Sequence, residues 1–187
     1  MQTWYPPGGA DTVRLLIVGL APGLRGANRT GIPFIGDESG ALLYETLARH
    51  GFAEHLPLPR SADRPLLRST AITNAVRCVP PQNKPIGEEI NTCRRFHVAL
   101  ISQLSGLEVI VTLGKIAHDS TIRALGGKPA HHPFSHAGET ETAGIRIISS
   151  YHCSRYNTNT GRLTQEMFDA VFDKAARSMG SRPEPLA

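Results

Sequence analysis

Three stretches of this 187-residue chain carry side chains whose types and spacing suit chemistry. The richest begins at His152 and runs through Ser154, Arg155, Asn157, Asn159 and Arg162. An imidazole placed there can donate a hydrogen bond to an oxygen that gains negative charge during a reaction. The hydroxyl, amides and guanidinium groups around it suit phosphate contacts. The alternative is a satisfied loop histidine. The second stretch ends in Asn74, whose amide offers a donor and an acceptor and so matches a pyrimidine edge. A hydrogen bond to a neighbouring loop is its other reading. The third holds Gly19, Gly23, Gly26, Gly31 and Gly36, with Ala21, Pro22, Asn28, Arg29, Phe34 and Asp37 among them. Glycines at this density let a backbone pass close to a ligand, or simply build a turn-rich connection. The pattern is neither a Walker loop nor a dinucleotide fingerprint, because the Lys-Ser/Thr and the glycine spacing are wrong. Phe34 adds an aromatic face, and Asp37 a carboxylate that either serves a ligand or caps the next helix.

Each stretch follows a β-rich run. Four such runs are read, at 13–18, 69–75, 107–113 and 145–150. The first and third are almost continuous Leu, Ile and Val, which suits strands covered on both faces. Helical patterns lie between them. Leu42, Leu43, Leu47 and Ala48 precede Gly51. Ile90, Cys93, His97, Leu100 and Leu104 form one stripe. Residues 114–125 end at Gly126 and Gly127, and Thr164 caps a helix carrying Met167, Phe168, Val171, Phe172 and Ala175 on one face. Strands alternating with helices predict a three-layer α/β/α domain with a central, mainly parallel four-stranded sheet. Ligands of such sheets bind beyond the strand C-termini, where the three chemical stretches fall. One domain is expected over 1–187, with a core of about 13–176 and a frayed tail at 181–187.

Composition narrows the field. Hydrophobic residues make up 40% and charged residues 19%, which excludes a mainly disordered chain. The longest apolar run, Leu15 to Ala21, is too short to span a bilayer. No export signal opens the chain, so a cytoplasmic protein is expected. Three cysteines without a disulfide pattern agree with a reducing compartment. A net charge of +4 permits a phosphate-bearing partner without requiring one.

Taken together, the three stretches resemble the type-5 (type b) uracil-DNA glycosylases of bacteria and archaea. The resemblance rests on Gly19-Leu-Ala-Pro-Gly23 through Gly31 and Pro33-Phe34, Gly36-Asp37. It continues in Ile72-Thr-Asn74 through Pro81, then Asn83-Lys-Pro85, and in Ser150-Tyr-His152-Cys-Ser154 through Asn159-Thr-Gly-Arg-Leu-Thr164. It implies a uracil-DNA glycosylase fold and a monofunctional repair enzyme, acting as a monomer on DNA that contains uracil or other deaminated bases. It also implies that Phe34 stacks on an extruded base, Asn74 reads its edge and His152 stabilises the departing anion. Asp37 is the candidate for positioning water or the sugar cation. The loop of Gly19, Ala21, Pro22 and Gly23 lines the base site, with Ala21 where sister families carry a water-activating group. DNA contacts fall to Asn28, Arg29, Ser154, Arg155, Asn157, Asn159 and Arg162.

The family implies a 4Fe-4S cluster on four cysteines. Cys78 and Cys93 match its middle pair, while the N-terminal Cys-x-x-Cys has no counterpart, so a bound cluster is doubtful in this chain. A truncated or mis-started chain, a cluster-free variant and incomplete binding are the competing explanations. Cys93 lies on the apolar stripe and also reads as a buried structural thiol. Arg25 and Lys84 read as solvated loop cations. Lys115 is placed to meet a phosphate at a helix start, His131, His132 and His136 read as a DNA-contacting loop rather than a metal site, and Trp4 as cover for an apolar edge. Two other functions compete: a binding module of the same fold with weakened catalysis, and a nucleotide-binding metabolic domain.

Overall fold

A computed structural model describes residues 2–54 and 65–180. Five strands form one sheet: β1 (Leu15–Gly19), β2 (Thr70–Asn74), β3 (Val109–Leu113), β4 (Glu139–Thr142) and β5 (Ile145–Ser150). Their order is β2-β1-β3-β5-β4. All neighbours are parallel except β4 and β5. The expected four strands are therefore present, and the count is corrected to five by the edge strand β4. Ala143 and Gly144, both with positive φ, make the tight turn that folds β4 back on β5.

The helices are α1 (Ala27–Thr30), α2 (Gly40–Arg49), α3 (Gly87–Gln103), α4 (Lys115–Ala124), α5 (Arg155–Asn159) and α6 (Gln165–Ser178). α2, α3, α4 and α6 fall on the four predicted patterns, and α1 and α5 are short additions within the chemical stretches. Thr164 caps α6, its hydroxyl accepting from the Met167 N–H at 3.2 Å.

Side chains alternate across each strand, so β1 feeds two cores. Leu15 and Ile17 face α2 and α6, packing with Leu43, Leu47, Phe168 and Phe172. Leu16 and Val18 face α3 and α4, packing with Leu100, Ile110 and Ile122. Each fully buried Leu, Ile or Phe contributes about 1.5–3 kcal/mol. These two layers hold the strand ends rigidly in register: Gly19 of β1 sits opposite Asn74 of β2. Trp4 bridges to Ile72 on the outer side of β2 through two 2.9 Å backbone hydrogen bonds. It covers that edge as its sequence position suggested. The tail at 181–187 lies outside the described residues.

Candidate active site

The parallel strands deliver β1, β2 and β5 to a common edge, and there the chain encloses a cavity of about 840 Å³. The sequence-predicted residues Ala21, Gly23, Phe34, Asp37, Asn74, His152, Ser154 and Arg155 all line it. Gly19 and Pro22 do not; Pro22 is buried, and Gly19 lies behind the side chains.

The glycines have a specific reason. A Cβ at Gly19 would stand 2.2 Å from Asn74 Oδ1 and 2.7 Å from Phe34 Cζ. A Cβ at Gly23 or at Gly26 would stand 2.0 Å from Asp37 Oδ1. The loop after β1 is thus stripped of side chains where Asn74, Phe34 and Asp37 occupy the space. Close approach is the purpose, as the spacing suggested, but the approaching groups are side chains of the same protein.

Asp37 is half-buried and holds this loop. Its carboxylate accepts from the Ala27 N–H at 3.2 Å and from the Gly23 N–H. Burial raises its pKa, and those two hydrogen bonds oppose the shift. Asp37 therefore both fixes the glycine loop at the start of α1 and presents to the cavity. Phe34 is 5% exposed and adopts φ 64°, a region a bulky residue enters only when its surroundings demand it.

His152 faces the Phe34 ring, with centroids 6.2 Å apart and planes inclined by 29°. Burial pushes the His152 pKa down to about 4, so the imidazole is neutral at neutral pH. A neutral ring keeps one N–H for donation and brings no charge into the pocket. Its backbone is anchored by Asn157, whose side-chain N–H donates to the His152 carbonyl at 2.8 Å.

Asn157 thus points inward to support His152 rather than lining the cavity. Ser154 caps α5, its Oγ accepting from the Asn157 N–H at 3.5 Å, and also reaches the cavity. Arg155 lines the mouth and forms an ion pair with Glu38. Asn28, Arg29 and Asn159 are exposed away from the lining. Arg162 stacks over Tyr151 with its guanidinium carbon 4.7 Å from the ring centroid.

Sequence reasoning missed Leu24, Glu38 and Tyr156, which line the rim. Leu24 is 64% and Tyr156 71% exposed, and both sit inside stretches already singled out for their polar groups. Arg25, read as a solvated cation, also lines the cavity.

The groups set apart from the site behave as follows. Lys115 pairs with Asp119 at 2.6 Å. His132 Nδ1 is bonded to the Thr140 hydroxyl at 2.6 Å, and His136 Nδ1 accepts from the Tyr151 N–H at 3.2 Å. Both imidazoles serve internal bonds. Among the described residues, no three His, Cys, Asp or Glu side chains are placed to hold a metal ion.

That bears on the iron-sulfur expectation. Cys78 is exposed and Cys93 buried. The Cys93 sulfur accepts from the Arg77 N–H at 3.4 Å. Cys153 is buried beside the site, and burial raises its thiol pKa to about 12, which keeps it protonated. Two thiols do not make the four-thiolate set that a cluster takes. The described residues do not fit that group, and no chemistry is derived through it.

A family model described as the uracil DNA glycosylase superfamily matches residues 6–176. Similar proteins include a type-5 uracil-DNA glycosylase of Thermus thermophilus, 43% identical over 94% of this chain and 80% of the relative. Another from Pyrobaculum aerophilum is 37% identical over 94% of the chain and 76% of the relative. One from Mycobacterium leprae is 41% identical over 94% and 78%.

Proposed function

The chain belongs to the uracil-DNA glycosylase superfamily, and we propose that its cavity receives a uracil flipped out of DNA and hydrolyses the bond between base and sugar. One observation carries the reading: Phe34, Asn74, Asp37 and His152, from three separate stretches, line a single cavity beyond the strand ends.

Extrusion of the base costs a few kcal/mol. The Phe34 ring offsets it by stacking on the base, and the Asn74 amide pairs with the uracil edge, accepting from its N–H and donating to its carbonyl. Bond breaking then leaves positive character on the sugar, as in other glycoside hydrolyses, and negative charge on the uracil carbonyl. The neutral His152 N–H donates to that oxygen. The hydrogen bond strengthens as charge develops, so it acts mainly in the transition state. One such donor is worth on the order of 3 kcal/mol. Asp37, held by two backbone N–H groups, supplies a carboxylate near the sugar cation or the incoming water. No lysine lines the cavity, which favours hydrolysis by water over a Schiff-base lyase route. Arg25, Arg155 and Ser154 stand at the mouth for the phosphates flanking the flipped nucleotide.

The test is direct. A uracil-containing oligonucleotide is incubated with the protein and then treated with alkali. Strand scission at the uracil supports the reading; a gel shift without scission supports the binding module instead. The same assay with hypoxanthine and xanthine ranks the deaminated bases.

A further inference from the structure

Tyr44 lies in α2, outside the cavity lining. It is 5% exposed, and its hydroxyl donates to the Pro33 carbonyl at 2.7 Å. The residue that follows Pro33 is Phe34, whose φ of 64° places it in the left-handed region. An aromatic residue does not settle there on its own preference; its neighbours must impose it. Three contacts surround the turn. The Tyr44 hydroxyl ties its first carbonyl to α2. The Phe34 carbonyl accepts from the Asp37 N–H at 3.3 Å, and the Asp37 carbonyl from the Gly40 N–H at 2.9 Å. Gly40 also packs so closely that a Cβ there would stand 2.1 Å from the Phe34 carbonyl oxygen. The last two contacts close the turn on itself and on the start of α2. The Tyr44 bond reaches it from one helical turn further on.

We propose that Tyr44 is a positioning residue for base recognition: its hydroxyl clamps the Pro33–Phe34 turn and so fixes the Phe34 ring opposite His152. This rests on the reading of Phe34 as the platform for the flipped base. A phenol suits the task because its rigid ring packs in the apolar layer while its tip reaches one carbonyl. Burial raises its pKa, so the hydroxyl keeps its proton throughout the working range.

The experiment is a double-mutant cycle of Tyr44→Phe and Phe34→Ala, read by single-turnover uracil excision at increasing enzyme concentration. Thermal melting is followed for all four proteins, and rates are taken where all remain folded. Tyr44→Phe keeps the ring and removes one hydroxyl. The half-saturation concentration should rise about fivefold, the scale of one hydrogen bond, while the maximal rate stays within about twofold of the parent. In the Phe34→Ala background the same change should have no further effect. If Tyr44→Phe leaves half-saturation unchanged, or multiplies the Phe34→Ala defect by the same factor, the inference is overturned. If Phe34→Ala itself leaves half-saturation at the parental value, the platform reading falls and takes this inference with it.

Discussion

Replacing Gly19 with alanine probes the site without touching any group that contacts the substrate. The added methyl would lie 2.2 Å from Asn74 Oδ1 and 2.7 Å from Phe34 Cζ. Carbon and oxygen atoms in ordinary contact stand about 3.5 Å apart or more. The Asn74 amide must therefore retreat by roughly 1 Å, and the Phe34 ring by somewhat less. Both colliding atoms are the tips of side chains, so the sheet need not open. The Gly19 carbonyl keeps its 2.9 Å bond from the Ala75 N–H. Displacement of a positioning group by about 1 Å costs on the order of 10²-fold in rate. The melting temperature should move by no more than about 4 °C, as a loss near 1 kcal/mol would produce in a domain of this size. The assay is single-turnover excision from a uracil oligonucleotide beside a melting curve. Gly87→Ala is the control, since a Cβ there meets nothing within 4 Å. A Gly19→Ala protein that melts normally and excises uracil at the parental rate would refute the argument that this glycine exists to seat Asn74 and Phe34.

His152→Ala should lower the single-turnover rate by 10²–10³-fold, the value of a lost donor to a developing anion, and Asp37→Asn by on the order of 10²-fold; parental rates in both would remove the catalytic assignment. Because the His152 imidazole is neutral down to about pH 4, excision should show no inflection from this group between about pH 5.5 and 8, and a rate that falls with a midpoint near 6.5 would contradict the neutral donor. His97 is 3% exposed, neither ring nitrogen has a hydrogen-bond partner, and burial, with Arg77 and Arg94 nearby, lowers its pKa to about 4. The unfolded chain takes up this proton near pH 6.5, so the contribution to stability is complete above that value and is lost as pH falls towards 4. Urea unfolding at pH 7 and pH 5 should differ by about 2 kcal/mol from this group, and His97→Leu should flatten the dependence; an unchanged slope in that variant would assign the effect elsewhere.

The layers of this fold were legible because the runs around Leu15 and Val109 are apolar on both faces, and only a sheet sandwiched by helices accommodates that. Strand β4 was not legible. Glu139, Thr140, Glu141 and Thr142 are half-buried or exposed, and an edge strand has no second face to mark with apolar residues. The turn at Ala143-Gly144 was its one signal. The site was legible at Phe34, Asn74, Asp37 and His152 because ligands of such sheets gather past the strand ends, and each residue sits just there. Asn157 was misread as a DNA contact because its partner is a backbone carbonyl five positions back, and backbone carbonyls leave no mark in a sequence. The glycine loop was read for the right property, closeness, with the wrong neighbour: nothing in the spacing says that Asp37 fills the room left at Gly23 and Gly26. His97 was placed on its apolar stripe, but not as an imidazole without a partner, since that depends on what lies opposite it.

The two margins of the sheet are finished in different ways. Beside β2 the backbone of Trp4 occupies hydrogen-bonding positions that a foreign strand would need. Beside β4 the outer row carries Glu139 and Glu141, with Glu139 bound to Lys174 at 2.9 Å. Carboxylates along a short border repel the like-charged border of another copy. The protein is thereby protected from strand-to-strand aggregation by a plug on one side and by charge on the other. Acid, which neutralises carboxylates, would weaken only the second defence, whereas replacement of Trp4 by proline would strike the first at any pH.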